Sequence, residues 1–142
     1  VAVGRLRPYY REAADDYLRR LRRYLRIEEL ELRVRGRRTM QDAIEGWCAV
    51  ALTRDGTAWS SEDLARRLGE WRLAGRPVAL VIGGPEGLEP AVLETAHLRW
   101  SLGPLTLPHE LARVVVLEQL YRAATMLAGH PYHQDHVGTM QR

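Results

Sequence analysis

Residues 76–84 read "RPVALVIGG", and this stretch decides the fold class. Val78 to Ile82 is continuously apolar, the pattern of a parallel strand covered on both faces. It ends in Gly83-Gly84 and passes through a turn into the short helix predicted over "EPAVLETA". In open α/β sheets ligands collect at the carboxyl ends of strands. Paired glycines there let a ligand approach the backbone closely. Spacing alone leans towards a plain strand-to-helix turn. Neither G-x-x-x-x-G-K-[ST] nor G-x-G-x-x-G is present, which excludes those two phosphate loops.

The same alternation continues outward. "VAVG" reads as the end of a strand that is expected to begin ahead of Val1. "RPYYREAADDYLRRLRRYL" reads as a helix with Tyr10, Ala14, Tyr17, Leu18, Leu21 and Leu25 on one face. Arg19, Arg20, Arg22, Arg23 and Arg26 lie opposite, as a solvated face or a phosphate-contacting one. "IEELELRV" alternates as a half-exposed strand, and "RGRRTMQDAIEG" is a basic loop with at most a short helix. "WCAVAL" is a buried strand, and "TRDGT" carries the Asp55-Gly56 turn signal. "SSEDLARRLGEWRLAG" has a serine cap, an acidic first turn and a glycine stop. "HLRWSLG" is a short strand. The last helix is expected to open around Pro108 and end near Gly129. Strands alternating with helices predict an α/β domain, with a mostly parallel sheet and helices on both faces. No linker divides the chain, so residues 1–142 form one predicted domain.

Composition narrows the class. Hydrophobic residues make up 46% of the 142, enough for a core, and no apolar run reaches a membrane-spanning length. No secretory leader is visible at the start. The single cysteine, Cys48, cannot form an internal disulfide or a cysteine-based zinc site, and reads as a buried structural thiol. A cytoplasmic location fits. The net charge is +3, and all 21 basic residues are arginine. Guanidinium groups bind phosphate bidentately and stack on bases, so nucleic acid is the first candidate partner.

Two further stretches could carry chemistry. "WSLGPLTLPHE" is an apolar loop containing Leu102, Leu105 and Leu107. Such a loop must be buried or cover something flat and apolar, and its backbone needs partners. A purine ring would meet both demands; plugging the core beneath the last helix is the plainer alternative. "GHPYHQDHVGTMQR" closes the chain with three of its five histidines, His130, His133 and His136. A metal site there is disfavoured, because Pro131 after Gly129 argues against the helix that would align the three. The last helix carries Val114, Val115, Val116 and Leu117 in a row, so it is apolar around more than one face. A homodimer through this helix is the expected consequence.

"VAVGRLR", "LVIGGPEGL", "RWSLGPLTLPHELARVVVLEQLYRA" and "GHPYH", in that order, resemble the ribosomal RNA large-subunit methyltransferase H family, a small branch of the SPOUT methyltransferases. The resemblance covers nearly the whole chain and is strongest from about Gly75 to His133. It implies a homodimer with a carboxyl-terminal trefoil knot. It also implies methylation of N3 of a pseudouridine in 23S ribosomal RNA of the assembled ribosome, with S-adenosyl-L-methionine as donor and no metal. By position, Leu52, Gly83 and Gly84 would contact the cofactor. Leu102, Gly103, Pro104, Leu105, Thr106 and Leu107 would enclose its adenine, largely through backbone groups. His130, Tyr132 and His133 would handle the proton and place the base, since N3 carries a proton in the neutral base.

The sequence departs from the family in four places. Gln134 stands where an arginine usually closes the chain, and "DHVGTMQR" follows it. Gly103 replaces a common serine. Thr53 replaces an aspartate that often follows the leucine. The connection between "IEELELRV" and "WCAVAL" is short. An RNA-binding relative with weak or altered catalysis is therefore the second reading, and a histidine metal site the third.

Overall fold

A computed structural model describes residues 1–132. The strands are β1 (Ala2–Val3), β2 (Glu31–Leu32), β3 (Cys48–Ala58), β4 (Val78–Val81) and β5 (Leu98–Ser101). The helices are α1 (Pro8–Leu21), α2 (Met40–Ile44), α3 (Ser61–Ala74), α4 (Pro90–Thr95) and α5 (His109–Ala128). β3 pairs in parallel with β4 and β5, and β1 with β2. A parallel bridge between Ala2 and Ile82 joins the two groups, giving the spatial order β2-β1-β4-β3-β5. This is the expected α/β fold with helices on both faces.

Side chains alternate across the sheet, as strand geometry requires. Val50, Leu52, Val78, Leu80, Ile82, Leu98 and Trp100 pack with α1, α3 and α5. Ala49, Ala51, Ala79 and Val81 pack with Met40 and Ile44 of α2 and Val92 of α4. Both faces of β4 are covered, which is why Val78 to Ile82 carries no polar residue.

The helix signals hold. Ser60 accepts from the Asp63 N–H at 3.0 Å and Asp63 reciprocates, a capping box that holds the Asp63 carboxyl below the usual carboxylate range. Gly75 and Gly129 close α3 and α5 in the left-handed conformation.

Four expectations need correction. α1 stops at Leu21 rather than near Leu25, because the chain tightens into short turns in which Arg23 N–H bonds Arg20 O and Tyr24 N–H bonds Leu21 O. β2 is two residues long, since it is an edge strand whose one neighbour bends away at Gly4, φ +83°. Cys48 is half-buried rather than buried, and Trp47 lies outside the strand, 45% exposed. β3 does not end in a turn at Asp55-Gly56. Leu52 and Thr57 both stand opposite Trp100, so residues 53–56 leave the ladder and rejoin the same strand. Gly56 lies against the neighbouring backbone: a Cβ there would sit 2.7 Å from the Arg99 carbonyl carbon. The glycine serves close approach rather than a hairpin.

α5 is fixed at its start by buried charge. Glu110 accepts the Arg7 N–H at 2.6 Å and pairs with its guanidinium at 3.1 Å. Arg113, 3% exposed, bonds Gly4 O at 3.2 Å, Glu29 at 3.0 Å and Glu31 at 2.6 Å. Arg11 shares both glutamates. Further along, Tyr121 meets Tyr17 and Tyr24 of the α1 region. α5 therefore runs alongside α1, from the carboxyl end of the sheet towards its amino end.

Candidate active site

The ends of the three adjacent strands β4, β3 and β5 bring the first group of candidates together. Leu52 closes the first ladder segment of β3, opposite Trp100 of β5, and Ala51 stands opposite Val81 of β4. Gly83 follows β4, and Leu102 follows β5. Such a set of loops at the carboxyl ends of parallel strands is where open sheets hold ligands.

Of the two roles the sequence left open for Gly83, the tight turn that spacing favours is the one the geometry explains. A Cβ there would lie 2.5 Å from the Gly87 carbonyl carbon and 2.8 Å from Leu88 N. It would strike the chain's own turn. That turn is closed by Gly87 N–H to Gly84 O at 3.0 Å, with Gly87 at φ +79°. The plain strand-to-turn reading accounts for Gly83, while Gly84 lies near the Val3 side chain.

The loop after β5 is open. Gly103 N–H donates to Ser101 Oγ at 3.1 Å, and Gly103 adopts φ +116°. A serine at this position would be strained in that backbone, so the glycine belongs to the loop's shape. Leu102 and Leu107 are half-buried, Pro104 and Thr106 exposed, and Leu105 is 78% exposed. Leu105 does not plug the core. The peptide groups of Leu105, Thr106 and Leu107 have no backbone partner among the described residues. Thr53 Oγ1, directly after Leu52, is buried without a hydrogen-bond partner there. Arg54 Nη2 donates to Thr106 Oγ1 at 2.8 Å, tying the β3 excursion to this loop. Sequence reasoning missed Arg54, and noted Thr53 only as a replacement for an aspartate. The signal available was a glycine inside a strand pattern, which marks close backbone approach as well as turns.

The second group stands elsewhere. His130 meets the Tyr24 ring edge-on at 6.5 Å, and its Nδ1 accepts the Tyr132 N–H at 3.2 Å. Tyr132 lies back along α5: its ring meets Tyr121 at 4.6 Å, its hydroxyl donates to Glu118 at 3.3 Å, and Arg122 lies over it at 5.2 Å. Burial first, and then the Glu118 carboxylate, push its phenol well above the ordinary value. Tyr132 is thus neutral near pH 7, an unsuitable general base. The loop of residues 102–107 leads into the start of α5, and His130 follows its end. A helix of 20 residues is about 30 Å long. Within one chain, the histidine and the strand-end loops occupy opposite ends of that helix. His133, Gln134, Asp135 and His136 lie outside the described residues. No group of three or more His, Cys, Asp or Glu that could hold a metal occurs among those described. No described helix is long and apolar enough to cross a membrane.

The family model "Predicted SPOUT methyltransferase" matches residues 1–133. The ribosomal RNA large subunit methyltransferase H of Rubrobacter xylanophilus is 49% identical over 150 residues, covering 94% of this chain and 95% of that protein. The chain belongs to this SPOUT methyltransferase family. Its Pseudomonas aeruginosa relative of the same name is 44% identical, covering 94% of this chain and 97% of that protein. These alignments span 150 residues against the 142 of this methyltransferase, so its relatives carry segments it lacks. A solved probable methyltransferase from Bordetella pertussis Tohama I has a TM-score of 0.58 at 16% identity, over 87% of this chain and 93% of that one. It supports the fold alone. Membership makes the chain a methyl-transferring enzyme and implies a methyl donor.

Proposed function

We propose that this protein methylates N3 of a pseudouridine in 23S ribosomal RNA of the assembled ribosome, in the cytoplasm, as one domain over residues 1–142. S-adenosyl-L-methionine is the donor in this reading. The observation that carries it is the loop of residues 102–107: leucines beside peptide groups without backbone partners, next to the buried, unpartnered Thr53 hydroxyl. An adenine presents flat apolar faces and a polar edge, and this loop has the matching surfaces. Leu52 and the Gly83-Gly84 turn would form the opposite wall. When bound, the donor supplies an electrophilic methyl group on a sulfonium. The chain's part is to hold the base in line, exclude water and take the N3 proton. The carboxyl-terminal trefoil knot belongs to the same reading.

Tyr132 is here an anchor for the tail, leaving His130 and His133 as candidates for the proton. Because His130 stands at the far end of α5 from the loop in one chain, the proposed site needs a second copy. α5 is the proposed contact, and its half-buried Leu111 and Val115 are its apolar contribution. One chain would supply the cofactor loops and its partner the histidines.

Calorimetry with S-adenosyl-L-methionine, followed by methyl transfer to ribosomes lacking the modification, tests the reading. Absence of cofactor binding would sink it. Binding without transfer would favour an RNA-binding relative with altered catalysis, the reading that Gln134 motivates.

A further inference from the structure

We infer that the turn between α1 and β2 is a docking surface for RNA phosphates, built on Arg22, Arg23 and Arg26. This rests on the RNA-methylating reading and assigns part of the chain's grip on its substrate to residues outside the strand-end loops. Among the described residues Arg7, Arg11, Arg19, Arg20, Arg66, Arg99, Arg113 and Arg122 each pair with a carboxylate, whereas Arg5, Arg33, Arg35, Arg37, Arg38 and Arg76 do not. Arg22, Arg23 and Arg26 are exposed and have no ion pair or hydrogen bond from their side chains among the described residues. They line a concavity of about 620 Å³ together with Tyr24, Leu25, Ile27 and Glu28. Glu28 is exposed too and pairs with none of them.

The backbone beneath them is fixed. Tyr24 N–H bonds Leu21 O at 2.8 Å, Leu25 N–H bonds Leu21 O at 3.1 Å, and the Arg72 guanidinium holds Tyr24 O. Tyr24, Leu25 and Ile27 pack inward on the core, which leaves the guanidinium groups between them outward. Attraction to the carboxyl end of α1 explains Arg22 and Arg23 but not Arg26, which lies beyond the last turn. A polyanion explains all three, because guanidinium forks match phosphate oxygens and bring no base preference of their own. The concavity also adjoins the tail, since the His130 ring meets Tyr24. A phosphate held here would sit beside the histidine that the proposed reaction uses.

The test compares Arg22→Gln/Arg23→Gln/Arg26→Gln with a control of equal charge loss, Arg33→Gln/Arg35→Gln/Arg37→Gln. Each protein is titrated with a protein-free transcript of large-subunit RNA between 50 and 200 mM salt, and with unmodified ribosomes in the transfer assay. The log–log salt slope of the first variant should fall by about 2–3, as expected for three lost phosphate contacts. Its KM for ribosomes should rise at least tenfold, with kcat, cofactor affinity and melting temperature unchanged. The control should lose clearly less slope. Equal losses in the two variants would mean bulk charge rather than a surface, and would overturn the proposal. An unchanged RNA slope with a raised ribosome KM would point to a ribosomal protein and overturn it as well. Failure of the wild type to bind cofactor is read separately and strikes the methyltransferase reading, not this surface.

Discussion

The two ends of the sheet are built on different principles. At the carboxyl end, chain lies directly on chain: Gly56 on Arg99 and Trp100, Gly83 on Gly87 and Leu88. Buried charge from Glu110 and Arg113 then fixes the start of α5. At the amino end, the α1–β2 turn shows unpaired arginines to solvent beside His130. At Gly56, Gly83, Glu110 and Arg113 the first end leaves little freedom to substitute without harming the fold, while its loop of residues 102–107 stays open. The second can change its charge while the fold stays intact. The proposed cofactor loops sit at the rigid end and the proposed RNA grip at the permissive one.

The contrast can be broken most sharply at Arg113. Arg113→Ala removes the buried guanidinium from Glu29, Glu31 and Gly4 O, leaves the two glutamates to Arg11 alone, and should cost about 3 kcal/mol in urea unfolding. A cost similar to that of an exposed arginine would erase the distinction between the ends. Gly83→Ala and Gly56→Ala should each cost about 2–3 kcal/mol, since a Cβ would press on backbone that cannot move aside. Loss of cofactor affinity in Gly83→Ala at unchanged stability would restore the idea that ligand, rather than chain, fills that space.

Ser60→Ala should cost about 1 kcal/mol through the lost cap. Its pH dependence has a definite sign. The folded-state pKa of Asp63 is lowered, so its contribution is present above the unfolded value and is lost as pH falls through the folded one. The gap between wild type and Ser60→Ala, followed by thermal melting, should therefore narrow in acid. Smallest of all is Tyr132→Phe. The phenol is held neutral, so the pH profile of transfer from pH 6 to 9 should keep its shape. A displaced limb of that profile would return Tyr132 to proton handling.

Much of the fold was legible because its signals are local. The apolar run of β4, Ser60 before α3, Gly75 and Gly129 after α3 and α5 are each decided within a few residues. The β3 excursion was not, because Asp55-Gly56 carries the same local signal whether the chain reverses or rejoins its strand; only Arg99 and Trp100 decide which. The burial of Glu110 and Arg113 depends on Arg7, Glu29 and Glu31, far away in sequence. Of the candidate site, the motif order located the strand-end loops. The length of α5 was legible from Pro108 and Gly129, but its direction across the sheet, which separates those loops from His130, is set by the distant partners of Glu110 and Arg113.

The β3 excursion has one more consequence. Before it, the even-numbered Val50 and Leu52 face α1, α3 and α5; after it, the odd-numbered Trp59 faces the same side, stacked on Trp100 at 5.4 Å. Residues 53–56 thus act as a parity switch. Their number, more than their chemistry, determines on which side of the sheet α3 begins. Inserting one residue between Arg54 and Asp55 would send Trp59 to the wrong layer unless the excursion widened to keep Thr57 opposite Trp100.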